Sequence, residues 1–184
     1  MLAAVSVSAQ REPVMLATFD FGVNTTFPWT ARNDPVMGGQ STGEFLVDYT
    51  RQVGFLKGDV RIVPSLGLPG FVKAIGGDRR TGSVYNDATG TTHFEFMVRT
   101  DNPEYKGYRV CFGQDLFPLI KCFKADFFLD DTEWTLISIP YNNFTSAWNA
   151  ATGDPDVTCA QSPLVCPCLL YTSPSPRDGL LSLM

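Results

Sequence analysis

The sequence predicts an all-β fold, a sandwich of short antiparallel strands with almost no helix. Three observations carry that reading. Sixteen glycines and thirteen prolines break the 184-residue chain into short apolar runs, which suits turns better than long helices. Fourteen phenylalanines add a side chain that favours pleated, half-buried surfaces. Thr92 to Arg99 alternates at strand period, with Phe94, Phe96 and Val98 facing one way and His93, Glu95, Met97 and Arg99 the other. A chain of this length fits one domain, and a domain of about 150 residues buries roughly 68–70% of its unfolded surface without a covalent staple.

From the N-terminus, Val14 to Phe21 reads as a first strand, and Thr25 to Pro28 carries the chain round to Trp29. Asn33 to Phe45 then reads as a shaped loop feeding a strand. A turn-former precedes Pro35, Val36 and Met37 plug inward, and Gly38 and Gly39 permit positive φ or close backbone approach. Phe45, Val47 and Tyr49 alternate with Glu44, Leu46 and Asp48. Gln52 to Val63 reads as one long strand whose glycines mark bulges or bends, and Phe71 to Ile75 follows a Pro-Gly turn. Residues 76–92 read as an exposed loop with a short strand at Ser83 to Asn86. Tyr108 to Phe112 and Cys122 to Leu129 read as an antiparallel pair, and Trp134 to Pro140 as a strand ended by proline. Ser146 to Asn149 reads as a helical turn, with Ala150 to Cys166 irregular.

Trp29 followed by Asn33-Asp34-Pro35-Val36-Met37-Gly38-Gly39-Gln40-Ser41 resembles the signature of the complex I intermediate-associated protein 30 family. Further likenesses follow in the same order: Phe55 to Val60, Gly70 to Val72, Tyr108 to Val110, Ala125 to Phe127, Trp134 to Leu136, and Ile139 to Tyr141 with Phe144. The resemblance implies a galactose-binding-like jelly roll, similar to some carbohydrate-binding modules. It also implies a non-catalytic protein that binds a protein client, as in assembly of respiratory complex I, with no cofactor. The alternative that it leaves open is a secreted carbohydrate-binding module. On that alternative, sugar rings stack on aromatics such as Tyr85, Tyr105, Tyr108 and Tyr141, while Arg99, Arg109 and Asp126 form the ligand face. Trp29 and Trp134 suit packing anchors better than sugar platforms.

The ends and the cysteines bear on compartment. Met1 to Gln10 resembles the back half of a signal peptide, with Val7 and Ala9 before Gln10 but no basic segment ahead of them. Cys168 to Asp178 resembles a translated sequencing adapter, so residues 168–184 are expected to be a non-native tail and residues 11–167 a jelly roll lacking a last strand or two. Without Cys168, four cysteines remain, with three possible connectivities. Local geometry favours Cys111 with Cys122 and Cys159 with Cys166; free thiols in a reducing compartment are the alternative. Asn24 and Asn143 each begin a glycosylation sequon. These features favour the secretory pathway, with the mitochondrion as the alternative.

Charge and motifs narrow the chemistry. A net charge of −5 argues against nucleic acid or an anionic membrane as the main partner, because both require clustered Lys and Arg. No stretch is long and apolar enough to span a bilayer. Gly39 to Gly43 satisfies G-x-S-x-G, yet proline and glycines precede Ser41, a strand follows it, and His93 is the sole histidine, so the elbow of a hydrolase is not expected. His93 lacks metal-ligand companions at suitable spacing, and no metal site is expected. Asp126, Asp130, Asp131 and Glu133 read as solvated turn carboxylates and not as a glycosidase pair.

Overall fold

The computed structural model describes residues 12–34, 38–77, 85–113, 122–149, 152–165 and 181–183. The expectations for Met1 to Gln10, Pro35, Val36, Met37, Ser83, Cys166 and residues 168–180 lie outside this set.

Strands dominate, as the sequence predicts, joined by short 3-10 turns at Tyr141–Asn143 and Pro163–Val165. The strands are β1 (Trp29–Asn33), β2 (Thr42–Asp48), β3 (Val53–Asp59), β4 (Ile62–Val63), β5 (Leu68–Pro69), β6 (Val72–Gly76), β7 (His93–Val98), β8 (Arg109–Phe112), β9 (Phe123–Asp126), β10 (Thr135–Pro140), β11 (Ala147–Trp148), β12 (Pro155–Val157) and β13 (Leu181–Leu183). The main sheet runs β1-β6-β13-β8-β9, and β10-β7, β2-β3, β4-β5 and β11-β12 form two-stranded ladders. Every described pairing is antiparallel.

The core lies between the β7–β10 ladder and β8–β9. Phe94, Val110, Ala125, Phe127, Leu129, Ile139, Tyr141 and Phe144 form one buried cluster. Phe94 stacks on Phe112 at 5.8 Å, Phe112 meets Phe144 at 4.7 Å, and Phe96 meets Phe127 edge-on at 5.0 Å. Such pairs contribute about 0.5–1.5 kcal/mol each beyond area burial. Tyr141 is buried, its hydroxyl lies 2.9 Å from that of Thr91, and burial holds its pKa above the usual tyrosine range. A second aromatic layer joins Phe19, Trp29 and Phe45, with Trp29 and Phe45 stacked at 5.0 Å.

The structure corrects four expectations about elements. Val14 to Phe21 forms no strand. Its polar side chains bond locally instead: Asp20 accepts from the Gly22 N–H at 2.9 Å and from the Thr18 hydroxyl at 2.5 Å, while Thr18 N–H donates to Thr25 O at 2.8 Å. The first strand is Trp29–Asn33, paired along β6. Gln52 to Val63 splits into β3 and β4, with Val60 and Arg61 between them. The helical turn falls at Tyr141–Asn143, where Pro140 ends β10, and Ala147–Trp148 is extended. Leu181–Leu183, expected to continue no strand pattern, lies as β13 between β6 and β8, because main-chain pairing asks only for an extended backbone.

Phe144 has no solvent exposure, so Phe144→Ala is expected to lower the unfolding free energy by about 3–5 kcal/mol. Leu136, 57% exposed, is expected to tolerate alanine within about 0.5 kcal/mol. Urea denaturation of the two variants checks the placement of the core.

Candidate functional site

Two constellations stand out, and each is built from backbone upward. In the first, the loop after β1 folds onto the segments that flank β4 and β5. Asp34 N–H donates to Phe71 O at 3.1 Å and its side chain is buried. Ser41, 3% exposed, accepts at its hydroxyl from Arg61 N–H at 3.1 Å, and Gly70 N–H donates to Arg61 O at 2.8 Å. Glycine is required at two points for space. A Cβ on Gly39 would lie 2.5 Å from Asp34 O and 2.8 Å from its Cγ, and one on Gly70 would lie 2.6 Å from Ser41 Oγ and 2.9 Å from Asp34 Oδ2. Gly38 differs: at φ +83° with open space around it, it serves conformation alone. Ser41 is thus engaged with backbone, whereas His93 sits exposed on β7 with its Nδ1 2.8 Å from Thr92 Oγ1.

Trp29 anchors the same end of the sheet. Its indole lies over Gly76, its register partner on β6, where a Cβ would come 2.5 Å from the ring. The buried Nε1 of Trp29 has no hydrogen-bond partner among the described residues. Asn33 is exposed at the end of β1.

The second constellation lies on the face of β8–β9 away from the core. Arg109 Nε bonds Asp126 Oδ1 at 2.8 Å, its NH2 reaches Asp154 Oδ1 at 3.3 Å, and its guanidinium lies 5.8 Å from the Trp148 ring. Lys124 Nζ lies 5.0 Å from the same ring. Gly153 permits this approach, since a Cβ there would meet Arg109 NH1 at 2.5 Å. Arg109 therefore clamps the β11–β12 hairpin to the sheet, and its side chain is only 21% exposed. Beside the clamp is a cavity of about 280 Å³ lined by Ala125, Asp126, Ser138, Ile139, Pro140, Asn143, Trp148, Pro155 and Thr158. Arg99, grouped with Arg109 and Asp126 in the sequence reading, belongs to the other sheet, 5.7 Å from the ring of Trp134.

The sequence profile of the Complex I intermediate-associated protein 30 (CIA30) family matches residues 19–161. The chain belongs to that family. No curated protein matches it. The CIA30 span takes in both constellations: the Asp34–Ser41 loop with its glycines, and the Arg109 clamp with its cavity.

The other residues singled out in the CIA30 domain fall as follows. Cys111 and Cys122 are fully buried and joined by a disulfide, with Cα atoms 5.9 Å apart. Cys159 is buried and also disulfide-bonded. Asn24 is exposed in a turn at φ +62°, and Asn143 is exposed at the cavity wall. Thr145 of the second sequon is fully buried, pairing its backbone with Lys124. Trp134 is 49% exposed, which corrects its reading as a packing anchor: it lies on the solvent side of the β10 end, beyond the core-facing alternation. Sequence reasoning missed Asp154, Trp148 and the cavity, because the hairpin that brings them to Arg109 lies in a stretch without periodicity. Among the described residues no group of three or more His, Cys, Asp or Glu could hold a metal ion, and no helix is long and apolar enough to cross a membrane.

The glycines give a sharp test. Gly38→Ala is expected to cost about 1–2 kcal/mol, the penalty for a left-handed non-glycine residue. Gly39→Ala is expected to cost about 3 kcal/mol, at the upper end for overpacking, because its Cβ meets backbone and a buried carboxyl. Equal thermal melts for the two variants would contradict the packing described here.

Proposed function

We propose that this chain is a non-catalytic, protein-binding assembly or scaffolding factor for respiratory complex I, folded as a jelly roll. Family membership supports the assembly role. The observation that carries the binding role is the solvent face of the β7–β10 ladder. There Met97 and Leu136 are cross-strand partners, 56% and 57% exposed, and Trp134 stands beside them with the Arg99 guanidinium over its ring. Large apolar side chains held on a rigid ladder, with tryptophan and arginine among them, have the composition of interface hot spots. The Asp34–Ser41 loop serves as an internal tie that fixes the sandwich carrying this face, and Ser41 acts as a backbone ligand, not a nucleophile.

Affinity purification of the tagged chain from cells that contain complex I, followed by immunoblotting for complex I subunits, tests this reading. The double substitution M97E/L136E is expected to reduce recovered subunits at least tenfold. Both side chains are exposed, so stability should change by no more than about 1 kcal/mol. Undiminished recovery would place the contact elsewhere, and absence of complex I subunits from the unsubstituted sample would overturn the client.

A further inference from the structure

The slot between β6 and β8 takes its strand from outside the regular part of the chain. β13 comes from the stretch whose sequence suggests a non-native tail, yet it lies in the middle of the main sheet and pairs antiparallel with both neighbours. Its three residues pair with Ala74–Gly76 of the five in β6 and with Val110–Phe112 of the four in β8. β6 is buried throughout, and Val110 and Cys111 have no exposure. Two buried strands that turn main-chain N–H and C=O groups toward one gap accept an extended backbone there, because an unpaired group would have no water to bond.

The rows across the sheet decide which residues that backbone should carry, since residues level with one another on paired strands share a face. Level with the first position of the slot, held by Leu181, are Gly76 and Phe112, with Trp29 and Phe123 beyond them. A large apolar residue continues that aromatic row beside a glycine. Level with the third position, held by Leu183, are Ala74 and Val110, with Ala31 and Ala125 beyond. Three alanines in one row leave volume that a large apolar residue fills. The second position falls between Ile75 and Cys111, both buried, and Cys111 is bonded to Cys122, so a small residue suits it.

A longer strand in the same register would place its fourth residue between Lys73 of β6 and Arg109 of β8. Arg32 lies beyond Lys73 in that row and Asp126 beyond Arg109, while Asp154 also pairs with Arg109. Lys124, two residues back on the same face of β9, adds another cation. Four cations against two carboxylates favour an acidic fourth residue and oppose a basic one, because like charges directly opposite on a sheet repel. We propose that the slot between β6 and β8 is an acceptor site for an extended segment of a partner polypeptide, donated in trans as a strand in the order large apolar, small, large apolar, acidic. This site goes beyond the client face of β7–β10, and neither depends on the other.

Fluorescence anisotropy on the full chain tests the proposal, with the labelled peptide Gly-Leu-Leu-Ser-Leu-Glu-amide as probe. The chain's own Leu181–Leu183 competes for the slot, and Ser182→Pro removes that competitor, because proline cannot serve a central strand. The variant is expected to bind the peptide at least tenfold tighter than the unsubstituted chain does, and to bind a peptide with Lys in place of Glu at least fivefold more weakly. Proline in place of the peptide's serine is expected to abolish binding. Equal affinity of the two proteins, no binding to the variant, or a Lys peptide as tight as the Glu peptide would overturn the proposal. So would a dimer of the unsubstituted chain, seen by sedimentation, that Ser182→Pro dissociates, for the donor would then be a second copy. If Ser182→Pro fails to fold, excess peptide carrying a photo-crosslinker decides on the unsubstituted chain. Attachment within Val72–Gly76 or Arg109–Phe112 is expected, and attachment elsewhere or none would overturn the site.

Discussion

The close approach of other segments to β6 is the constraint on which the rest of the structure depends. Val72 to Gly76 is buried along its whole length. On one side the β2–β3 hairpin comes so near that Gly43 and Gly58 both face Val72, where a side chain on either would press against the valine. At the other end Trp29 covers Gly76. Three glycines thus allow backbone and indole to meet a strand with no room for larger side chains. Because β6 is also paired with β1 over all five residues, the position of β1 fixes where the Asp34–Ser41 loop begins. The ties from that loop to Arg61 and Phe71 follow from this placement.

A buried strand needs ladder partners on both sides, since unpaired backbone groups away from water each cost about 1–3 kcal/mol. β6 and β8 meet this requirement through β13, which pairs with Ala74, Ile75 and Gly76 on one side and with Val110, Cys111 and Phe112 on the other. The Cys111–Cys122 disulfide and the Arg109–Asp126 pair then hold β8 to β9. The result sets two surfaces side by side: the exposed face of β7–β10, and the clamp, whose cavity is walled by β9 and β10 together with the β11–β12 hairpin.

The parts of the fold legible in the sequence were those with strong local rules. The alternation at Phe94, Phe96 and Val98 reflects a half-buried strand, and these residues pack against the core. Gly38 to Ser41 was readable as a shaped loop because paired glycines after a proline have few other uses. What was not legible depends on distant partners. Trp29–Asn33 is a strand because β6 lies beside it, and its five residues carry too little pattern to show it. Val14 to Phe21 misled because its apolar residues suggested a strand, while Thr18 and Asp20 bond their own neighbourhood and hold Phe21 at φ +63°. Arg109 was readable as a polar outward residue, but its ties to Asp154 and Trp148 span loops that no period describes.

The most direct test of the tied loop is residue-resolved amide hydrogen exchange at Arg61 and Gly70, with and without a bound complex I intermediate. Arg61 is an exposed residue, so ordinary surface behaviour would be fast exchange. If its N–H is held by buried Ser41 and that of Gly70 by Arg61 O, both amides should exchange as slowly as the core strands and be unchanged by the client. Fast exchange in the free chain, or protection gained only on client binding, would contradict an internal tie and make the loop part of the contact surface.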